Sequence, residues 1–294
     1  MGKKVSVRSP ARIDLAGGWT DVPTFCSNVS GEVVNIAINK YVTSEMVIDD
    51  ERKLSLSYHT DMPTGSGLGT SGAMNVALIS TISSAKQTSL ETAEIAFQFE
   101  ALLGNKGGRQ DQWASALGGI NWLTFRGEEV SVEPLSPSSE FCNWIENHLL
   151  LFNSHITHVS GDLHKEVWSK FEQGDVNISL ALDTIKAAGL LMVEAIKEES
   201  TTKFVEAVRL NSEGVDGLGS EYHDPFRDNL EQMTNQGTIL AWKAMGAGGG
   251  GVVGLIVGDL SSTHSIITKL EGCGWTNLDW RIDFEGTTRT ETNL

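Results

Sequence analysis

Two glycine-rich runs in different settings constrain this chain more than anything else in it. Gly65-Ser66-Gly67-Leu68-Gly69-Thr70-Ser71 leads into an apolar stretch with helical spacing. Gly246-Ala247-Gly248-Gly249-Gly250-Gly251 leads into the apolar run 252–257. Glycine permits positive φ and lets the backbone approach another group closely. Amides at the start of a helix bind anions, phosphate above all. Two such loops predict a place for the phosphates of a nucleotide and for a group that receives one. The plainer alternative is tight turns and close packing, which for Gly248 to Gly251 means packing against the first loop. Both runs fit G-x-G-x-x-G, at Gly67, Gly69 and Gly72 and at Gly246, Gly248 and Gly251. A dinucleotide-binding fold needs a strand after the first helix, with an acidic residue about 20 positions on. Here a second helix follows the first loop, and the second loop enters a strand. No G-x-x-x-x-G-K-[ST] occurs, which excludes a Walker-type phosphate loop.

The order of elements predicts an α+β fold rather than a doubly wound parallel sheet. Strands are expected over 4–8, 32–39, 41–48 and 53–58, the last two as a hairpin around Asp49-Asp50-Glu51. Helices follow over 73–85 and from Thr88 to about 103, the second opened by the capping box Thr88/Glu91. A short helix runs from Arg109 to Leu117, then a hairpin over 120–125 and 129–133. The proline-bearing stretch 134–139 marks a boundary, giving domains 1–138 and 139–294. Beyond it the pattern predicts strands over 149–152, 252–257 and 278–284. Helices are expected over 162–172, 177–197, 203–214, 227–241 and 263–270.

The 294 residues carry 22 basic and 38 acidic side chains, a net charge of −16. That field disfavours nucleic acid and anionic membrane surfaces. It also disfavours ATP, so a nucleotide site must draw on local amides, a few cations and a metal ion. Cys26, Cys142 and Cys273 form no C-x-x-C pair. They point to a reducing compartment rather than a disulfide framework. No unbroken apolar run reaches about 18 residues, the length a membrane span needs, and the first residues lack a leader pattern. The expectation is a cytoplasmic protein. His155, His158, Asp162 and His164 suggest zinc by spacing, but no further pair completes a site. Trp113, Trp122, Trp144 and Trp168 are expected in the core, and residues 221–225 in a loop near a cleft mouth.

Four blocks together resemble one superfamily. They are Pro10-Ala11-Arg12-Ile13-Asp14-Leu15-Ala16-Gly17-Gly18-Trp19-Thr20-Asp21, the loop Gly65 to Ala73, the loop Met245 to Gly251, and Gly107-Gly108-Arg109-Gln110-Asp111-Gln112 followed by Gly118-Gly119-Ile120-Asn121. In order and spacing they are similar to the galactokinase, homoserine kinase, mevalonate kinase and phosphomevalonate kinase superfamily, the GHMP kinases. The fourth block is similar to the sugar-1-kinase branch, which holds L-fucokinases and D-glycero-D-manno-heptose 7-phosphate kinases. The resemblance covers about 8–257. It implies a ribosomal-protein-like N-terminal half and a ferredoxin-like C-terminal half, with the active site in the cleft between them.

The resemblance also implies roles. Gly65, Ser66, Gly67, Leu68, Gly69, Thr70 and Ser71 bind ATP, and Gly248, Gly249 and Gly250 shape the phosphate and substrate site. Asp111 stands at the catalytic aspartate, and Arg12 at an arginine that holds it ionised and offsets phosphoryl charge. Ser71 and Glu100 meet Mg2+, which prefers hard oxygen ligands. Gly18, Trp19, Thr20, Asp21, Gly108 and Arg109 line the sugar. Each has a plainer reading: a helix cap for Asp111, a surface ion pair for Arg12, a solvated helix face for Glu100, a turn for Asp21. Gly72 departs from the serine or alanine common in relatives and is expected to loosen the helix start.

Trp19 suits a fucokinase-like site, where an indole stacks on a sugar face. Arg109 suits an acceptor already bearing phosphate. The reading is an ATP- and Mg2+-dependent sugar kinase acting on the anomeric hydroxyl of a heptose 7-phosphate-like sugar. The alternatives are a kinase for free L-fucose or a related hexose, an isoprenoid or amino-acid alcohol kinase, and a non-catalytic ATP and sugar sensor. The expected partner is a sugar or sugar phosphate, neither nucleic acid nor membrane, and a homodimer is allowed.

Overall fold

A computed structural model describes residues 2–62, 65–83, 86–104, 107–156 and 161–294, with backbone alone for 161–163. The chain opens with β1 (Lys3–Ala16), α1 (Pro23–Cys26), β2 (Gly31–Ile48), β3 (Leu54–Thr60), α2 (Thr70–Ile82), α3 (Ser89–Leu102), α4 (Gln110–Leu117), β4 (Ile120–Arg126) and β5 (Glu129–Leu135). It continues through α5 (Ser139–His148), β6 (Leu149–Asn153), α6 (Gly161–Glu172), α7 (Val176–Lys197), α8 (Thr201–Leu218) and α9 (Asp224–Asn235). It closes with β7 (Ile239–Ala244), β8 (Val252–Val257), α10 (Thr263–Gly272), β9 (Thr276–Leu278) and β10 (Thr288–Asn293).

Two antiparallel sheets result. The first has the order β10-β1-β2-β4-β5, with β3 pairing the outer part of β2. The second has the order β7-β8-β6-β9. In chain order that is strand, helices, hairpin, helix, strand, the ferredoxin-like arrangement. The fold is therefore α+β with two sheets. Sheet membership changes between β5 and β6, close to the 134–139 stretch, except that β10 returns to pair with β1. A single core joins the sheets: Ile13, Ile36 and Ile120 from the first pack with Leu151, Val252 and Ile256 from the second and with Met192 and Phe204 of α7 and α8.

Local chemistry explains most elements. Thr88 accepts from the Glu91 amide and Glu91 from the Thr88 amide, the reciprocal cap that starts α3. Asp49 N donates to Lys53 O and closes the β2–β3 hairpin. Three expectations need correction. Residues 239–244 are strand, not the end of a helix: Gly237 at φ 71 stops α9 and the chain turns into β7. Residues 278–284 form no continuous strand, since β9 ends at Leu278 and only Ile282 makes a bridge, to Ile38. Strand β1 runs on past residue 8 to Ala16, with a register shift at Pro10/Ala11 where proline has no N–H to give the ladder. Helix α7 is long and apolar enough to cross a membrane. Here it is a core helix: Ala188 and Met192 lie in the core between the sheets, and Leu182 and Ile185 pack with Val215 and Leu218 of α8.

Candidate active site

The two glycine loops meet face to face. In the first, Gly65, Gly67 and Gly69 all have positive φ, at 77, 78 and 69. Gly69 is the N-cap of α2, so the first amides of that helix, from Thr70 onward, open on the loop. Ala73 N reaches Gly69 O at 3.0 Å, so the helix start is formed and Gly72 does not loosen it. The second loop is the turn of the β7–β8 hairpin, closed by Met245 N to Val252 O at 2.9 Å. Val252 N donates to Ser66 O at 2.8 Å. A Cβ on Gly246 would stand 2.9 Å from Gly67 Cα, and one on Gly251 2.7 Å from Ser66 O. Gly249 N donates to Tyr222 O at 2.7 Å and Gly251 N to Ile156 O at 3.1 Å. Close packing thus accounts for Gly246 and Gly251, and the Gly249 amide is already bonded.

Arg12, on β1, ties both loops to Asp111. Its Nη1 donates to Gly67 O at 2.6 Å and to Met245 O at 3.0 Å. Its Nε and Nη2 reach Asp111 Oδ1 at 2.8 and 2.7 Å. Arg12 is buried, so the plain surface pair does not describe it, while Asp111 keeps 26% of its side chain exposed at the start of α4. Burial raises the Asp111 carboxyl's pKa; Arg12 pulls it back, and Glu100 and Asp14 add to the rise. The guanidinium therefore favours the ionised carboxylate against burial, in the direction expected of it, without cancelling the upward shift.

Ser71, in the first turn of α2, donates to Glu100 Oε1 at 2.7 Å, and Gln112 Nε2 to Glu100 Oε2 at 2.6 Å. Glu100 is buried at the end of α3, not on a solvated face. An exposed hydroxyl beside a carboxylate is a hard-oxygen donor pair that fits Mg2+, which takes one or two carboxylates and completes its shell with phosphates and water. Among the described residues no group of three histidines, cysteines or acids could hold a metal. For the zinc spacing, His158 and the Asp162 side chain lie outside the described residues. His155 Nε2 pairs with Thr276 Oγ1, and the His164 ring packs on Trp19.

Asp21 is buried behind Asp111. Its Oδ2 accepts from Gln110 N at 3.0 Å, and a Cβ on Gly108 would stand 1.9 Å from that same oxygen. Burial pushes its pKa up to about 6; the Gln110 amide opposes this, and Asp111 and Asp14 add to it. Thr20 is buried and structural, its Oγ1 donating to Gly17 O at 2.7 Å. Gly18 packs on Asp14, where a Cβ would come within 2.2 Å of Oδ2.

Two expected residues sit elsewhere. Arg109 is buried and faces the β4–β5 turn: Nη1 donates to Glu128 O at 2.6 Å and the guanidinium lies 4.5 Å over the Phe97 ring. Its charge is engaged away from the cleft. Trp19, at φ 82, is covered by rings, 4.5 Å from His164, 5.1 Å from Tyr222 and 5.8 Å from Trp168. It is core to an aromatic cluster rather than an open stacking face.

One pair escaped the sequence reading. Lys243 of β7 is buried and its Nζ donates to Asp14 O at 2.5 Å and Asp14 Oδ2 at 3.0 Å. Burial lowers its pKa; Asp14 opposes this, and Arg12 adds to it. Placed two residues before Met245, it nails the second loop to β1. Its sequence signal was a lone lysine among apolar residues just before the second glycine loop.

Residues 33–119 match the family described as GHMP kinases N terminal domain. A D-glycero-alpha-D-manno-heptose 7-phosphate kinase of Campylobacter jejuni is 24% identical, over 91% of this chain and 93% of that protein. An L-fucokinase/L-fucose-1-P guanylyltransferase of Bacteroides fragilis is 26% identical over 86% of this chain, which spans only 34% of that protein. Among solved structures, a D-glycero-D-manno-heptose 1-phosphate kinase from Bacteroides thetaiotaomicron has a TM-score of 0.76 at 19% identity, covering 99% of this chain and 100% of that one.

Proposed function

We propose that the chain is a GHMP-type kinase, a phosphotransferase with an alcohol acceptor, that moves the γ-phosphoryl of Mg-ATP to the anomeric hydroxyl of a heptose 7-phosphate-like sugar. The observation that carries this reading is Asp111: a partly exposed carboxylate, gripped by Arg12, at the seam of the two glycine loops. The heptose kinase relative matches along nearly its whole length, which favours a heptose acceptor.

The geometry supports a role for each residue. The open amides of the first loop and of α2 take the triphosphate of ATP. Ser71 and Glu100 would hold Mg2+, which when bound neutralises charge on the phosphates. Asp111 accepts the proton of the attacking hydroxyl or orients it. Its raised proton affinity suits that task. Arg12 stabilises the carboxylate and the charge that develops nearby. Asp21, packed against Gly108, accepts from sugar hydroxyls. A cytoplasmic setting belongs to the same reading.

Arg109 favours the second reading, a free sugar such as L-fucose. With its guanidinium engaged at Glu128 O and Phe97, it does not answer to an acceptor phosphate. The test is coupled ADP release with Mg-ATP over D-glycero-D-manno-heptose 7-phosphate, L-fucose, galactose and mannose. Turnover is expected on the heptose phosphate, falling by about 10²–10⁴ in Asp111→Asn. Turnover on L-fucose alone selects the second reading, and no ADP above background on any sugar sinks both.

A further inference from the structure

Asp111 stands between two glycines that a side chain would displace. A Cβ on Gly72 would lie 2.5 Å from Asp111 Cβ, 3.2 Å from its carbonyl carbon and 3.3 Å from Gln112 N. A Cβ on Gly69 would lie 3.1 Å from Asp111 Cγ and 3.0 Å from Arg12 Cγ. Gly69 has a second reason to be glycine, its φ of 69 at the N-cap. Gly72 has none: it sits in the first turn of α2 with negative φ, where alanine is the better helix former. What position 72 needs is the absence of a side chain.

We propose that Gly72 is a positioning residue: with Gly69 it forms a slot between α2 and α4 that sets how deeply Asp111 stands beside Arg12. The proposal rests on the reading of Asp111 as the group that meets the acceptor hydroxyl. The contact at 72 is with Asp111's own Cβ and backbone, so no rotamer change relieves it. A methyl there must move α4 away from α2 by roughly an ångström. Gln112 would travel with α4, and with it the amide that holds Glu100. Ser71 and the first loop stay on α2. The acceptor-side carboxylate and the donor-side loop would part, and a displacement of about 1 Å is enough to cost about a hundredfold in rate.

The test is Gly72→Ala and Gly72→Ser, assayed for ADP release on the acceptor that the unaltered protein turns over and for ATP affinity by titration. The expected result is a kcat lower by about 10–100-fold with ATP affinity nearly unchanged. Unaltered kcat, or an ATP affinity that falls as far as kcat, would overturn the slot. A second measurement needs no turnover. Asp111→Gly removes the Cβ that Gly72 accommodates, so the stability effect of Gly72→Ala, read by denaturation, should improve markedly in the Asp111→Gly background. Additive effects in that cycle overturn the proposal whatever the acceptor is. If no sugar is phosphorylated, the kinase assignment fails, and the cycle still decides the slot.

Discussion

The two glycine loops look alike as strings and differ as structures. The first ends on a 13-residue helix whose start has no side-chain cap, and its tip is open: a Cβ on Gly65 would meet nothing within 4 Å among the described residues. The second is a hairpin turn pressed into its surroundings, with Gly246 and Gly251 against the first loop and Gly248 against Tyr222. Its amides at 249 and 251 are bonded within the fold. Glycine leaves open space in one, where ATP is proposed to bind, and allows chain approach in the other. Arg12 is the hinge of the comparison, since one guanidinium donates to a carbonyl of each and to Asp111.

The strongest way to break this picture is to remove that guanidinium. Arg12→Met leaves two carbonyls and a carboxylate without their donor. We expect a loss of about 3 kcal/mol or more in denaturant unfolding, with activity near background. A stable variant would mean the loops do not depend on Arg12 for their junction.

Asp21 sharpens the comparison with a buried carboxyl whose ionised form the fold disfavours. Its pKa is raised from 3.8 to about 6, so the folded chain binds more protons than the unfolded one between those values. Stability from this group is full below about pH 4 and lost as pH rises through about 6, a cost of about 3 kcal/mol at neutral pH. Asp21→Asn keeps an acceptor for the Gln110 amide and should unfold at higher denaturant at pH 7 than the parent, with the gain vanishing near pH 4 and with sugar phosphorylation impaired. A gain independent of pH would refute the assignment.

The gentlest test sets the loops side by side. Gly248→Ala adds a Cβ 2.8 Å from Tyr222 O at φ 93 and should cost about 2–3 kcal/mol of stability. Gly65→Ala meets only the φ penalty of about 1 kcal/mol and should instead raise the KM for ATP. The reverse pattern, stability lost at 65 and ATP affinity at 248, would invert the comparison.

Features carried by near neighbours in the chain were legible beforehand. The Thr88/Glu91 box, the hairpin at Asp49 and the short helix carrying Asp111 each rest on residues a few positions apart. The grouping of Arg12, Ser71, Glu100 and Asp111 was legible only through resemblance, yet the fold does bring these four together. Strands β7 and β10 were missed because their partners, β8 and β1, are remote or lie across a loop of glycines. Arg109 was misjudged because a cation beside Gln-Asp-Gln has two directions to point, and only the position of Phe97 and the 126–129 turn chose between them.

The sequence by itself determined the α+β class, the two glycine loops, the Thr88/Glu91 cap and the residue types proposed for phosphoryl transfer. Those properties follow from backbone freedom and hydrogen-bonding capacity within short spans. The tertiary structure decided which amides stay open, where each charge finds its partner and how near Asp111 comes to Gly72. Those outcomes depend on distances between segments remote in the chain, 229 residues apart for Asp14 and Lys243, and packing sets such distances.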